Sequence, residues 1–208
     1  MRARFAVGLA GMIAAMSAMS ACQVVTNLDR FTFGEGGGGS GGTGGTGGTT
    51  TIDPGCHPSG TPNPVRDDCG LFVSSSIGND SGNGTKEKPF ATIAKALGSP
   101  ESGPIYLCAE TFAEAVQIKS GRTIYGGLDC ASDWSWSDAK KSELSPAAGE
   151  VVLVVDPQVG LVLEDVALRA KDAVEAGGSS IAVIATSGAE VSFTRCDVEA
   201  GSWKDGSV

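Results

Sequence analysis

The residues able to do chemistry are few and scattered. In the second half of the chain only one pair of carboxylates is adjacent, Glu164 and Asp165. Acid–base cleavage of a glycosidic bond needs two carboxyl groups facing one bond. Neighbours on a strand point to opposite faces, so this pair is not expected to converge. The single histidine, His57, lies in a Pro-rich stretch ahead of the patterned region, so Ser-His-Asp and Cys-His constellations are not expected in the folded part. Gly78 to Gly84 contains Asn and Asp, and Asp80 is its candidate calcium ligand. The stretch lacks the EF-hand spacing and its terminal Glu, and turn chemistry accounts for its composition, so calcium is the one cofactor left open. No GK[ST] closes it as a phosphate loop. Trp134 and Trp136 sit two apart in a loop of Asp and Ser. Exposed rings there could stack on sugars, which makes them the ligand-binding candidates. The competing reading is that one or both cover the side of the fold.

The cysteines are Cys22, Cys56, Cys69, Cys108, Cys130 and Cys196. No CxxC spacing occurs, which disfavours zinc. Cys56 with Cys69 would close a short loop worth about 3 kcal/mol in the chain-entropy model. Cys108 with Cys130 is the second expected disulfide. Cys196 is left over, as an interior thiol or as a partner for a cysteine beyond Val208.

These groups must be positioned by short strands. Leu71 to Ser76 reads as a strand, followed by a Gly/Asn/Asp turn and one amphipathic helical face at Phe90, Ile93, Ala94 and Leu97. Gly98 and Pro100 stop the helix, which at about two turns needs a partner surface. From Ile105 onward the apolar period is two: Ile105/Leu107, Val116/Ile118, Ile124, Val151/Leu153/Val155, Leu161/Leu163, Ile181/Val183 and Val191/Phe193. A repeat of thirty residues aligns Leu161, Leu163, Val166, Leu168 and Ala170 with Val191, Phe193, Cys196, Val198 and Ala200. It predicts an all-β stack of circuits rather than an antiparallel sandwich. It also sets Arg195 beside Asp165 as a surface pair, and Cys196 in the interior slot of Val166.

Upstream the composition changes. Residues 1–21, with Arg2 and Arg4 before an apolar run of small residues, read as a signal peptide too short to span a bilayer. Met19-Ser20-Ala21-Cys22 resembles the lipobox of bacterial lipoproteins, which implies lipid attachment at Cys22 and, with Gln23 following, an outer-membrane or cell-surface address. Residues 22–66 form the tether, whose Gly/Thr tract from Gly34 to Thr51 reaches about 20–25 Å as a random coil. The folded domain is expected over 67–208. A net charge of −9, more negative once the leader is removed, argues against nucleic acid as a partner.

Phe72-Val73-Ser74, Gly78-Asn79-Asp80, Gly84-Thr85, Lys88-Pro89-Phe90 and Thr92-Ile93-x-Lys95-Ala96 resemble the opening of DUF1565-type, pectate-lyase-like domains. The lipobox, tether and Tyr125-Gly126-Gly127-Leu128-Asp129-Cys130 are similar to surface lipoproteins of myxobacteria. The resemblance implies a right-handed single-stranded parallel β-helix of few coils with a short N-terminal capping α-helix. Family enzymes set acids on successive coils, as calcium ligands beside a basic residue or as acid–base pairs, and this chain shows no such set. The expected function is therefore non-catalytic adhesion or binding of a polysaccharide or cell-surface glycan. A truncated polysaccharide lyase or glycoside hydrolase and a structural envelope protein are the alternatives. The chain ends at Gly201 to Val208 without a capping segment, so 67–208 is expected to be the N-terminal part of a longer domain.

Overall fold

Strands of two to eight residues, most of them no longer than five and separated by Gly, Asp and Pro, bury their apolar face only when successive strands stack. They do so here in a computed structural model that describes residues 32–33, 54–59, 64–101 and 103–206. The expected signal peptide (1–21), Cys22 and the Gly/Thr tract lie outside the described residues. The first sheet holds β1 (Thr32–Phe33), β2 (Leu71–Val73), β3 (Ile105–Cys108), β6 (Arg122–Asp129), β10 (Gly160–Glu164) and β13 (Glu190–Thr194) in parallel, in the order β1-β13-β10-β6-β3-β2. A short strand, β7 (Ser135–Trp136), pairs antiparallel with β6. The second sheet stacks β4 (Thr111–Phe112), β8 (Ser142–Leu144), β11 (Val166–Arg169) and β14 (Asp197–Glu199). The third stacks β5 (Val116–Ile118), β9 (Leu153–Val155) and β12 (Val183–Ala185). From β3 onward the chain visits the sheets in a fixed order and returns each time to the next place along the first, while β1 adds at the far edge beside β13. All-β architecture with parallel sheets follows directly.

Register turns the sequence repeat into columns of like side chains. Leu71, Ile105, Ile124, Leu163 and Phe193 are successive partners in the first sheet, and Phe112, Leu144, Leu168 and Val198 in the second. All but the final members of these columns are buried in one hydrophobic core. The thirty-residue offset appears directly in the pairs Leu161–Val191, Leu163–Phe193 and Leu168–Val198.

The helix, α1 (Ile93–Leu97), is shorter than the apolar spacing predicts. Phe90 instead bridges Val73 as a strand-like residue. Asp80 takes the Ala91 and Thr92 amides, which keeps that stretch out of the helix and lets the Thr92 hydroxyl cap it. Glu114 accepts from the Ile93 and Ala94 amides, donors that no helix can satisfy internally. Ile93 and Ala96 then face the core.

The outer face of the first sheet carries a second column. Phe72, Tyr106 and Tyr125 are register partners, with rings stacked 5.0 and 5.6 Å apart. Aromatics on a solvent face need a cover, and two segments supply it. Both expected disulfides are present, and the Cys56–Cys69 bridge folds Cys56 and Val65 onto this face, ahead of the expected domain start at 67. The Cys108–Cys130 bridge holds the loop that brings Trp134 edge-on to Phe72 at 4.9 Å.

Candidate functional site

The aromatic column ends at a charged corner. Tyr125 is the register partner of Glu164, the last residue of β10. The chain must turn there from the first sheet into the second, and it does so with Asp165 left-handed at φ 56°. Asp tolerates that conformation better than most residues. One circuit earlier the corner is Gly126-Gly127. A Cβ on Gly126 would lie 2.4 Å from the Asp165 carbonyl oxygen, and Gly127 has φ 73°. One circuit later it is Arg195, at φ 51°. The left-handed residue breaks strand alternation, so Glu164 and Asp165 converge instead of facing apart. This corrects the sequence expectation.

Arg195 grips both acids. Its Nε donates to Asp165 Oδ1 at 2.7 Å, and its Nη2 donates to Asp165 Oδ2 at 2.8 Å and Glu164 Oε2 at 2.9 Å. Such a two-pronged fork is the strong form of the ion pair and helps offset the left-handed backbone of Arg195. The expected Asp165–Arg195 pair exists, but it is no surface pair: Asp165 is only 2 % exposed. Trp136 Nε1 donates to Asp165 Oδ2 at 2.7 Å, and the guanidinium lies 5.4 Å from the centre of the indole. His57 supplies the last contact. Its Nε2 lies 3.3 Å from Glu164 Oε1, its Nδ1 3.0 Å from the Ser59 carbonyl, and its ring packs edge-on to Tyr125 at 5.1 Å.

The electrostatics follow from this packing. The Glu164 hydrogen bond raises the His57 pKa above its ordinary 6.5, while burial and Arg195 oppose the rise. Burial pushes the Glu164 carboxyl up, but the His57 and Arg195 contacts outweigh it and leave the group below its ordinary value. Burial, then the Glu164 charge, raises the Tyr125 phenol, which stays neutral. Each of the four oxygens of Glu164 and Asp165 has a protein partner. A general acid, base or nucleophile would have to leave one of these partners before it could meet a substrate. The corner is built to hold charge in place.

Other predicted sites fall as follows. Trp134 is 2 % exposed and forms part of the outer cover, so it offers no stacking surface. Trp136 is half-buried, with its N–H bonded to Asp165 and Arg195 over its ring. The ring that does stand out is Trp203, 70 % exposed. Backbone bonds to residues 173–178 flank it, Ala173 N to Ser202 O and Lys204 N to Gly178 O. Asp80 spends one oxygen on the Ala91 and Thr92 amides and the other on the Thr92 hydroxyl. Donor atoms of Cys108, Glu110 and Cys130 lie within 4.8 Å of one another, but the two sulfurs are bonded together and offer no thiolate. Glu110 is held by Ser74, Ser75 and Ser76. Cys196 packs against the core, and burial raises its thiol to about 11.

Sequence reasoning missed His57 by assigning it to the tether. The signal was present. Cys56, tied to Cys69, must lie beside Leu71, so the next residue must land on the first sheet. No helix among the described residues is long and apolar enough to cross a membrane. Comparison with protein-family models, curated proteins and solved structures finds no match.

Proposed function

We propose that this chain is a cell-surface lipoprotein, anchored through Cys22, whose domain is a right-handed parallel β-helix that binds glycan without cleaving it. The three parallel sheets, visited in constant order, support the helix, and the hand is the one that crossovers between parallel strands nearly always take. The DUF1565-type resemblance of Leu71 to Leu97 points the same way. The observation that carries the binding reading is Trp203, an indole 70 % exposed on a loop fixed by backbone bonds on both sides. A large exposed ring on a segment whose backbone is already fixed costs little backbone entropy when a sugar stacks on it. Full engagement of Glu164 and Asp165 gives the lyase or hydrolase alternative less support than binding.

The test is retention of the purified domain on insoluble cellulose, chitin, peptidoglycan and polygalacturonate gels. Trp203→Ala should weaken retention at least tenfold, about 1.4 kcal/mol, with an unchanged melting curve. Wild-type retention on none of the four, or equal retention of the variant, removes the reading.

A further inference from the structure

We propose that His57 works as a pH-operated strap: while protonated it ties the segment Cys56–Ser59 down over Tyr125 and Glu164, and on losing its proton it lets that segment rise and uncovers the Glu164 carboxylate. The inference goes beyond glycan binding and does not depend on it.

Geometry comes first. The strap is fastened on its N-terminal side by the Cys56–Cys69 disulfide and by the Tyr106 hydroxyl, which donates to the Cys56 carbonyl at 2.6 Å. At His57 it rests on the Tyr125 ring and the Glu164 carboxylate. The charged groups around it can be named from each element. Glu164 on β10 attracts the imidazolium, and Arg195 from the next circuit opposes it. Asp165 is taken up by the Arg195 fork. Tyr125 on β6 is neutral. Arg66 lies against the Cys56 sulfur, pairs with Asp68 and acts electrostatically on the Tyr106 hydroxyl.

Charge balance supplies the switch. Two carboxylates and one guanidinium leave a single negative charge at the corner, which a protonated His57 cancels. With neutral His57 that charge stays on Glu164, whose side chain is only 10 % exposed. A buried carboxylate short of a counter-charge gains by rehydration, and the strap is what keeps water from it. The linkage has a definite sign. A histidine whose folded pKa is raised contributes fully below 6.5, and the contribution disappears as pH climbs through the raised value. Glu164, with a lowered pKa, contributes above 4.5 and fails as pH falls through its folded value. The strap is therefore tightest in mildly acidic solution and opens toward alkaline pH, while the disulfide keeps it attached.

His57 is the only histidine in the chain, so its ring Cε1 proton reports the titration without assignment ambiguity. The wild-type midpoint should lie above 6.5 and drop to 6.5 or lower in Glu164→Gln. Amide exchange at His57 and Ser59, corrected for intrinsic rates, should quicken by about three- to fivefold between pH 6 and about 9. In His57→Gln, which leaves the Glu164–Arg195 contact in place, that pH dependence should vanish. A wild-type midpoint at or below 6.5, a midpoint unmoved by Glu164→Gln, or corrected exchange that is flat with pH overturns the proposal. Should Glu164→Gln fail to fold, the wild-type midpoint and His57→Gln decide it.

Discussion

Leu168 and Val198 occupy the same register position one circuit apart, yet Leu168 is fully buried and Val198 is 47 % exposed. Two tryptophans repeat the contrast. Trp134 is enclosed by Phe72 and the disulfide-held cover, whereas Trp203 stands in solvent. Residue type does not separate these pairs; the neighbour does. In a stack of circuits a side chain is buried by the strand beyond it and by whatever crosses the sheet outside. Among the described residues β14 and β12 have no strand beyond them in the second and third sheets, and Val198 and Ile184 are accordingly exposed.

Substitutions can break or sharpen that contrast. The largest effect belongs to the outer cover: Trp134→Ala should cost about 3–5 kcal/mol in urea unfolding, and Trp203→Ala no more than about 0.5. Comparable losses for the two would show that the cover stabilises little. Inside, Leu163→Ala should cost about 2–5 kcal/mol and Val198→Ala less than about 1, a gap that equal unfolding midpoints would erase. Replacing Cys56 and Cys69 together by Ala removes the loop constraint under the cover and should lower stability by about 3 kcal/mol, read as a lowered melting temperature. The smallest effect is the pH term. Because His57 is partly exposed, raising the pH from 6 to 9 should remove less than about 1 kcal/mol, and His57→Gln should flatten that slope.

The sequence made the inner columns readable because each circuit must bury its own apolar residues against the next. Leu161, Leu163 and Leu168 therefore recur thirty residues on as Val191, Phe193 and Val198, and the structure pairs them. The outer column was not readable. Phe72, Tyr106 and Tyr125 share a register, but loops of different length separate them, so no fixed period joins them. The corner was half readable. Arg195 fell beside Asp165 through the repeat, while the convergence of Glu164 with Asp165 depends on one left-handed residue that no alternation pattern encodes. Trp134 stood between ligand platform and cover because an aromatic in a polar loop looks the same in sequence whether it faces water or covers Phe72, as it does.

The Cys56–Cys69 bridge also has a mechanical meaning. Tension that reaches Pro54 from the N-terminal side enters Cys56, crosses the covalent sulfur link to Cys69, and passes directly into β2 at Leu71. The residues between the two cysteines, His57 among them, lie off that load path. A strap placed there can respond to protons while the chain around it is under tension, because the disulfide carries the pull past it.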